Sequence, residues 1–228
     1  MAAFTREDAE GVAFLRFDRP PVNAIDLAVT EELGALAGAL AQKPPKALVL
    51  TGTGATFSAG LDLKAVPAYG AAERRALVLS INRMVRQIYG LPCPVVAAVN
   101  GHAMAGGLVM ALACDVRIAA EGGAKLALSE VNVGIPFPLG PMLVVNDVVS
   151  GTVRRDLALL GRVYGPAAAL EAGLVDEVVA PDRLLARARE RARELASLRG
   201  YAAIKAQLRA ATLAELDRAI AAEDDPIL

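Results

Sequence analysis

The chain has 228 residues, which suits one large domain or one domain with a helical appendage. Hydrophobic residues make up 55% of the chain and aromatic residues 4%, so we expect a core built mainly from Ala, Val and Leu. Lys plus Arg number 24 and Asp plus Glu number 25, a net charge of -1 that gives no general signal for nucleic acid or for an anionic membrane surface.

One uncharged stretch raises the question of a membrane span. Residues 87–114 carry no formal charge, and a spanning helix needs about 20 uninterrupted apolar residues. Pro92, Pro94 and the pair Gly106-Gly107 interrupt the stretch, so it is interpreted as a buried strand, a turn and a buried helix. The first ten residues contain acids and no apolar core, which is unlike a signal peptide. We therefore expect a cytoplasmic protein that neither spans a membrane nor binds nucleic acid.

The cysteines and the histidine give no sign of a metal centre. Cys93 and Cys114 lie outside the spacings that are typical of metal ligands, and His102 is the single histidine. The sequence therefore predicts two reduced thiols in the core and no metal site.

The predicted elements alternate between strands and helices in the first part of the chain and are helical thereafter. Asp26 is a candidate N-cap for the first helix, which Lys43-Pro44-Pro45 ends. This order predicts an α/β core followed by a helical C-terminal part, with a boundary near Gly165-Pro166. Strands are predicted over residues 12–17, 47–51, 94–99, 115–119 and 125–128, and helices over 27–42, 71–89, from 106 onward, 142–149, 152–160, 167–172, 184–198, 201–211 and 213–222.

Two strand-to-loop junctions share one design, in which a buried strand runs into a loop of small residues. The first loop ends in Ser58-Ala59-Gly60-Leu61-Asp62, and the second ends in Ala105-Gly106-Gly107. Small side chains let a ligand approach the backbone closely. Gly106 opens a predicted helix, so its N–H is expected to be unpaired at the positive end of the helix dipole. Two such amides on one oxygen would stabilise an oxyanion, although each segment alone is also consistent with a tight turn.

The residues of these junctions resemble two signatures of the crotonase superfamily, the enoyl-CoA hydratase/isomerase family. Residues 57–64, FSAGLDLK, are similar to F-[SC]-A-G-x-D-[LI]-K, and residues 100–107, NGHAMAGG, are similar to N-G-x-A-x-G-G-G. The ordered set of motifs covers about residues 11–205 and is specific for the superfamily but not for one reaction. Further matches are Arg19-Pro20 with Asn23-Ala24, Cys114-Asp115, Gly161-Arg162 and Ala172-Gly173-Leu174-Val175.

The resemblance implies a fold, a ligand and a set of site residues. The fold would be α/β, a crotonase-like spiral of ββα turns over residues 1–165, with a helical C-terminal region over residues 166–228 that forms trimers. The expected ligand is an acyl-CoA thioester, with coenzyme A as part of the substrate and no separate cofactor, in a homotrimer or a dimer of trimers. By position, Ala59 and Gly106 would supply the oxyanion-hole amides, Gly60, Leu61 and Asp62 would line the path of the CoA moiety with Asp62 capping a short helix, and Ala24 would lie near the adenine.

The number of catalytic carboxylates separates the reactions of this family. Hydration of an enoyl thioester needs a water to be held and deprotonated and a proton to be delivered, whereas moving the double bond needs one base. Glu130 aligns with the second glutamate of the family's hydratases, but the position of the first is occupied by Val109. The resemblance therefore implies that Glu130 is the catalytic base and favours conversion of a 3-enoyl-CoA to a 2-enoyl-CoA.

Other readings stay open at the level of sequence. The chain could hydrate an enoyl-CoA with another group in place of the missing glutamate, or it could bind acyl-CoA without catalysis. Ser58 and His102 lie beside the two junctions, so a Ser–His hydrolase is a further, less favoured hypothesis. Lys205 or an arginine near it is a minor candidate for binding the CoA phosphates across a subunit boundary.

Overall fold

The computed structural model describes residues 2–228. The strands are β1 Phe4–Ala9, β2 Val12–Phe17, β3 Ala24–Ile25, β4 Ala47–Gly52, β5 Thr56–Ser58, β6 Gly60–Leu61, β7 Val95–Val99, β8 His102–Met104, β9 Val116–Ala120, β10 Leu126–Ala127 and β11 Glu177–Val179. The helices are α1 Leu27–Gln42, α2 Ala71–Tyr89, α3 Gly106–Leu112, α4 Glu130–Val133, α5 Leu139–Val148, α6 Gly151–Arg154, α7 Pro166–Glu171, α8 Leu184–Ala196 and α9 Tyr201–Ala222. Short 3-10 helices occupy Val66–Ala68 and Pro181–Arg183, and a π-helical turn occupies Arg155–Leu159.

The main sheet has six strands in the order β1-β2-β4-β7-β9-β11. Its first pair is antiparallel and all later pairs are parallel. Every residue of β4, β7 and β9 is buried, which explains why β4 and β7 are largely apolar in the sequence, while β9 buries one charged residue, Arg117. The four main-sheet strands predicted from the sequence are therefore confirmed.

Both faces of this sheet are covered, and the side chains of each strand alternate between them. Leu48 and Leu50 pack in one cluster with residues of α1 and α2, while Val49 packs in a second cluster with α8. The buried residues that α8 contributes are Leu184, Ala188, Ala192 and Leu195. Helix α8 of the C-terminal part therefore covers one face of the main sheet.

Two strands of the main sheet were not predicted. Phe4–Ala9 is a polar edge strand with one fully buried side chain, so it carries no apolar signal. Glu177–Val179 pairs with β9 although it lies beyond residue 165, so the largely helical C-terminal part also contributes a strand.

The last helix differs from the prediction of two helices. Tyr201–Ala222 is one continuous helix that packs against α2 and α5. Thr212 lies between the two predicted helices. A threonine costs a helix only about a few tenths of a kcal/mol relative to a good helix former, and tertiary packing overrides this cost.

The uncharged stretch from residue 87 is divided among several elements, as predicted. It contains the end of α2, then β7, β8 and α3. Across residues 2–228, no helix is both long enough and apolar enough to cross a membrane.

Gly101 tests how tightly the second junction packs on the first. A Cβ atom at Gly101 would lie 1.9 Å from the backbone oxygen of Ala55. We expect Gly101→Ala to lower the free energy of unfolding by about 1–3 kcal/mol, since two backbone segments would have to separate. Urea unfolding measures this. Gly123→Ala is the control because nothing lies within 4 Å of its Cβ position; an equal loss in both variants would contradict the explanation.

Candidate active site

A narrow internal pocket lies where the first turn of α3 meets α2, α4 and the segment before α5. Its free volume is about 40 Å³. Both predicted junctions reach it, as does the predicted base Glu130. Its lining residues are Ile25, Leu61, Ile81, Met84, Val85, Gly106, Val109, Glu130, Ile135, Pro136, Phe137, Pro138 and Pro141.

The two junctions meet through a glycine contact. Gly60 has a φ of 81°, a left-handed conformation that favours glycine. A Cβ atom at Gly60 would lie 2.8 Å from the Met104 oxygen and 3.2 Å from the Gly106 nitrogen. The β6 backbone therefore lies directly against the start of α3, which brings the amides of the two segments to one side of the pocket.

The structure changes which amide of the first junction is available. The Ala59 N–H donates to the Val22 oxygen at 3.0 Å, so this predicted oxyanion donor is already paired. In the parallel pair β3–β6, Asp62 N–H donates to the Ile25 oxygen at 2.7 Å. Alternation along β6 therefore directs the Leu61 N–H away from β3 and toward the pocket, where it has no acceptor among residues 2–228.

Gly106 meets the prediction for the second junction. It is the first residue of α3, and Val109 N–H makes the first bond of that helix, to the Ala105 oxygen at 3.1 Å. The Gly106 N–H is thus one of the unpaired first-turn donors, with no acceptor in the described part of the chain. The geometry offers Leu61 and Gly106, and not Ala59 and Gly106, as two free donors on one pocket.

Asp62 and Arg19 hold the first junction in shape. One carboxylate oxygen of Asp62 accepts the N–H groups of Lys64 and Ala65, each at 3.0 Å, just before the 3-10 helix at Val66. The bond from Ala65 is the main reason that the pKa of Asp62 is lowered. Arg19 contacts Asp62 at 3.5 Å and donates to the Ala24 oxygen at 2.7 Å. Asp62 therefore lies beside a short helix as predicted, and Ala24 lies beside Gly60 in the β3–β6 pair.

Glu130 is the one titratable residue among the described residues that line the pocket. It is the first residue of α4, and its Oε2 atom is buried without a hydrogen-bond partner. Burial raises the pKa of Glu130 from 4.5 to about 7, while two backbone N–H contacts oppose this change. A carboxylate with this pKa can take up and release a proton near neutral pH.

Val109 follows Gly106 by almost one helical turn and faces the same pocket. Its side chain is 1% exposed, and it supplies an apolar wall where a second carboxylate would be needed for hydration. The remaining lining side chains are also apolar, so Glu130 has no acidic neighbour there to share a water.

The Ser–His hypothesis fails on geometry. Ser58 is fully buried, and its hydroxyl donates to the Asn23 oxygen at 2.7 Å and accepts from the Gly60 N–H at 3.2 Å. The His102 Nδ1 atom accepts from the Lys125 N–H at 3.0 Å. These two side chains make no hydrogen bond with each other among residues 2–228, so no nucleophile–base pair forms.

Lys205 does not offer a free cation for a phosphate. Its side chain is 8% exposed, and its ammonium group donates to Asp115 at 2.8 Å and to the Cys93 oxygen at 3.0 Å. Arg209 contacts the other oxygen of Asp115 at 2.9 Å. This buried cluster ties α9 to the start of β9 and leaves the minor prediction for Lys205 wrong.

Sequence reasoning missed the part of the pocket that α2 forms. Ile81, Met84 and Val85 lie in a predicted helix, but nothing in their apolar pattern distinguishes a core contact from a pocket wall. The role of the Leu61 amide was also missed, because it depends on the pairing of β3 with β6. The strict alternation of a strand is the signal that could have identified it once that pairing was known.

Comparison with known proteins identifies the family of the chain. The family model for enoyl-CoA hydratase/isomerase matches residues 7–226. A Thermus thermophilus protein that is provisionally named an enoyl-CoA hydratase is 40% identical over 154 residues, which are 66% of this chain and 60% of that protein. Carnitinyl-CoA dehydratase of Shigella flexneri is 36% identical over 183 residues, 79% of this chain and 69% of that protein.

A solved structure extends the comparison to the fold. Human mitochondrial delta3-delta2-enoyl-CoA isomerase superimposes with a TM-score of 0.90 at 28% identity, covering 97% of this chain and 89% of that chain. The protein is therefore a member of the crotonase superfamily with the predicted fold. Within that superfamily, the chain belongs to the enoyl-CoA hydratase/isomerase family.

The raised pKa of Glu130 has a consequence for stability. A carboxyl group whose pKa is higher in the folded state binds more protons there, so the free energy of unfolding falls as pH rises from about 4.5 to about 7. Glu130→Gln removes this effect. We expect the wild type to lose about 2–3 kcal/mol relative to Glu130→Gln between about pH 5 and pH 8.

Urea unfolding at the two pH values measures this difference. Glu171→Gln is the control for removal of a carboxyl group, since Glu171 is exposed at the end of α7 and lies outside the pocket. A difference between wild type and Glu130→Gln that is independent of pH would contradict the raised pKa.

Proposed function

We propose that this protein is an enoyl-CoA isomerase that converts a 3-enoyl-CoA to a 2-enoyl-CoA with Glu130 as its single base. The observation that carries the proposal is the composition of the pocket. One carboxylate and two residues with unpaired backbone N–H groups line one pocket, and the other described lining side chains are apolar. This is the set of groups that a proton shift next to a thioester requires and no more.

The proposed reaction uses Glu130 and both backbone N–H groups. The thioester oxygen accepts hydrogen bonds from the Leu61 and Gly106 N–H groups. The Glu130 carboxylate removes a proton from C2, the C2–C3 double bond forms as the C3–C4 double bond breaks, and negative charge passes through the thioester oxygen. Glu130 then returns the proton to C4. Atoms and charge balance, and water takes no part.

The donor pair would supply most of the barrier reduction. Loss of one donor from such a site typically costs about 2.7–4 kcal/mol of transition-state stabilisation. The Gly106 N–H adds the positive end of α3 to this effect. In an apolar pocket these interactions are less screened by solvent than they would be in water.

The pocket supports isomerisation over the alternatives. A hydratase would need a second group to hold and orient water, and the wall at Val109 provides none. A binder without catalysis would be favoured if Glu130 lay far from the oxyanion donors, but Glu130 and Gly106 line one pocket.

The remaining expectations extend this proposal beyond the pocket. The CoA moiety would follow Gly60, Leu61 and Asp62, with its adenine near Ala24. A homotrimer or dimer of trimers, a cytoplasmic location and the lack of a separate cofactor stay predictions.

The assay follows the absorbance of the conjugated thioester. With cis-3-enoyl-CoA, we expect the wild type to gain this absorbance and Glu130→Gln to lose about 10²–10⁴-fold in kcat/KM, the usual contribution of a general base. Glu171→Gln should retain wild-type activity because its side chain is exposed outside the pocket. Loss of absorbance from a trans-2-enoyl-CoA by hydration would instead show that a second acid acts.

The pH profile gives an independent test of the same role. Because the base must be deprotonated, kcat/KM for isomerisation should rise with pH and level off above the pKa of about 7. Initial rates measured across this pH range test the prediction. A rate that is already at its plateau near pH 5 would contradict a buried Glu130 as base.

A further inference from the structure

We propose that Asp225, near the C-terminal end, fixes the closed end of the acyl pocket and so limits the substrate to a short, uncharged acyl group. This inference rests on the proposed function, since it assumes that the pocket beside Glu130 holds the acyl chain. Asp225 is a positioning residue and does not line the pocket.

The α2 side of the pocket is closed by buried side chains. Leu61 and Gly106 mark the end where the thioester oxygen would lie. Ile81, Met84 and Val85 form a wall on α2 and are between 0% and 8% exposed, so the core continues behind them. The chain of a bound acyl group therefore has no exit on this side.

The free volume sets the scale of the acyl group. A water-sized group needs about 10–15 Å³ by this measure, so 40 Å³ holds about three such groups. Three such groups beyond the thioester carbon make an acyl group of about four carbons, and small side-chain shifts would extend this to about six. Among the described lining residues, Phe137 is the single aromatic side chain and Glu130, the proposed base, is the single carboxylate, so a cationic acyl group would find no aromatic cage and no carboxylate apart from the base.

A buried hydrogen-bond clamp holds this wall in place. One carboxylate oxygen of Asp225 accepts from the Asn82 side chain and from the Leu139 N–H, each at 2.8 Å. The Asn82 side-chain oxygen accepts the Gly140 N–H, also at 2.8 Å. Asp225 is 4% exposed and Asn82 is 2% exposed, so the clamp is shielded from water.

The clamp residues alternate in sequence with the wall residues. Asn82 directly follows Ile81, and the clamped pair 139–140 lies between Pro138 and Pro141, which line the pocket. A Cβ atom at Gly140 would lie 3.1 Å from the Asn82 Cα atom, so the backbones of α2 and α5 approach each other closely here. Movement that would lengthen the pocket has to break these bonds, since the wall and the clamp are the same two segments.

Binding of saturated acyl-CoA thioesters tests this inference without requiring turnover. Isothermal titration calorimetry would compare coenzyme A, hexanoyl-CoA and dodecanoyl-CoA. We expect the wild type to bind hexanoyl-CoA about tenfold more tightly than dodecanoyl-CoA, because the longer chain would overpack the closed end. In Asp225→Ala we expect this preference to fall below about threefold, with hexanoyl-CoA binding little changed.

Two variants separate the clamp from a general loss of structure. Asp225→Asn keeps an oxygen for Asn82 and Leu139 and should retain the wild-type chain-length ratio. Asp224→Ala, at the exposed neighbouring acid, should do the same. If Asp225→Ala does not fold, Met84→Ala removes part of the wall itself and should lower the preference in its place.

Each result decides a different claim. Equal binding of hexanoyl-CoA and dodecanoyl-CoA by the wild type overturns the closed end while leaving isomerisation of either chain possible. An unchanged ratio in folded Asp225→Ala overturns the role of the clamp. Binding of both thioesters no tighter than coenzyme A overturns the acyl pocket, and with it both this inference and the proposed substrate.

Discussion

The contact between two glycine-containing backbones is the constraint on which the rest of the site depends. At Gly60 and Gly107 there is no room for a side chain, because a Cβ atom at Gly107 would lie 2.3 Å from the Ser58 oxygen. This approach joins the start of α3 to the β5–β6 segment. Two backbone donors from distant parts of the chain, Leu61 and Gly106, therefore reach one pocket with no side chain between them.

The apolar surroundings of the Glu130 carboxyl group affect both its chemistry and the stability of the fold. Burial makes the folded state hold the Glu130 proton more tightly, so the same surroundings that suit the group to proton transfer also reduce stability above neutral pH. The core must offset this cost elsewhere, and the large apolar clusters on both faces of the sheet provide it. Asp115 with Lys205 shows the opposite solution, in which a buried charge is kept by pairing it.

The local sequence pattern was sufficient to predict the central strands, but it did not predict the elements and contacts that depend on pairing between strands. The apolar runs of β4 and β7 were enough to predict these strands. In contrast, β1 is polar and forms a strand because it pairs with β2 at the edge of the sheet. Gly106 was identified because the start of a helix is a local property. Ala59 was assigned as a donor from the family resemblance, and the sequence does not show that the Val22 oxygen will accept its N–H. The bond between Asn82 and Asp225 joins residues 143 apart and leaves no local trace at all.

Val109 bears on how this chain could change its chemistry in evolution. Two of the four valine codons become glutamate codons by a single base change, so from those codons the second acid of a hydratase is one mutation away. The pocket is a greater obstacle to Val109→Glu than the genetic code is, since a new carboxylate would share about 40 Å³ of free space with Glu130. Two acids so close would hold one proton between them and resist ionising together. The proposed single-base reaction would thus be protected by the small volume and apolar lining of the pocket, and a relative with two glutamates would need a wider and more polar one.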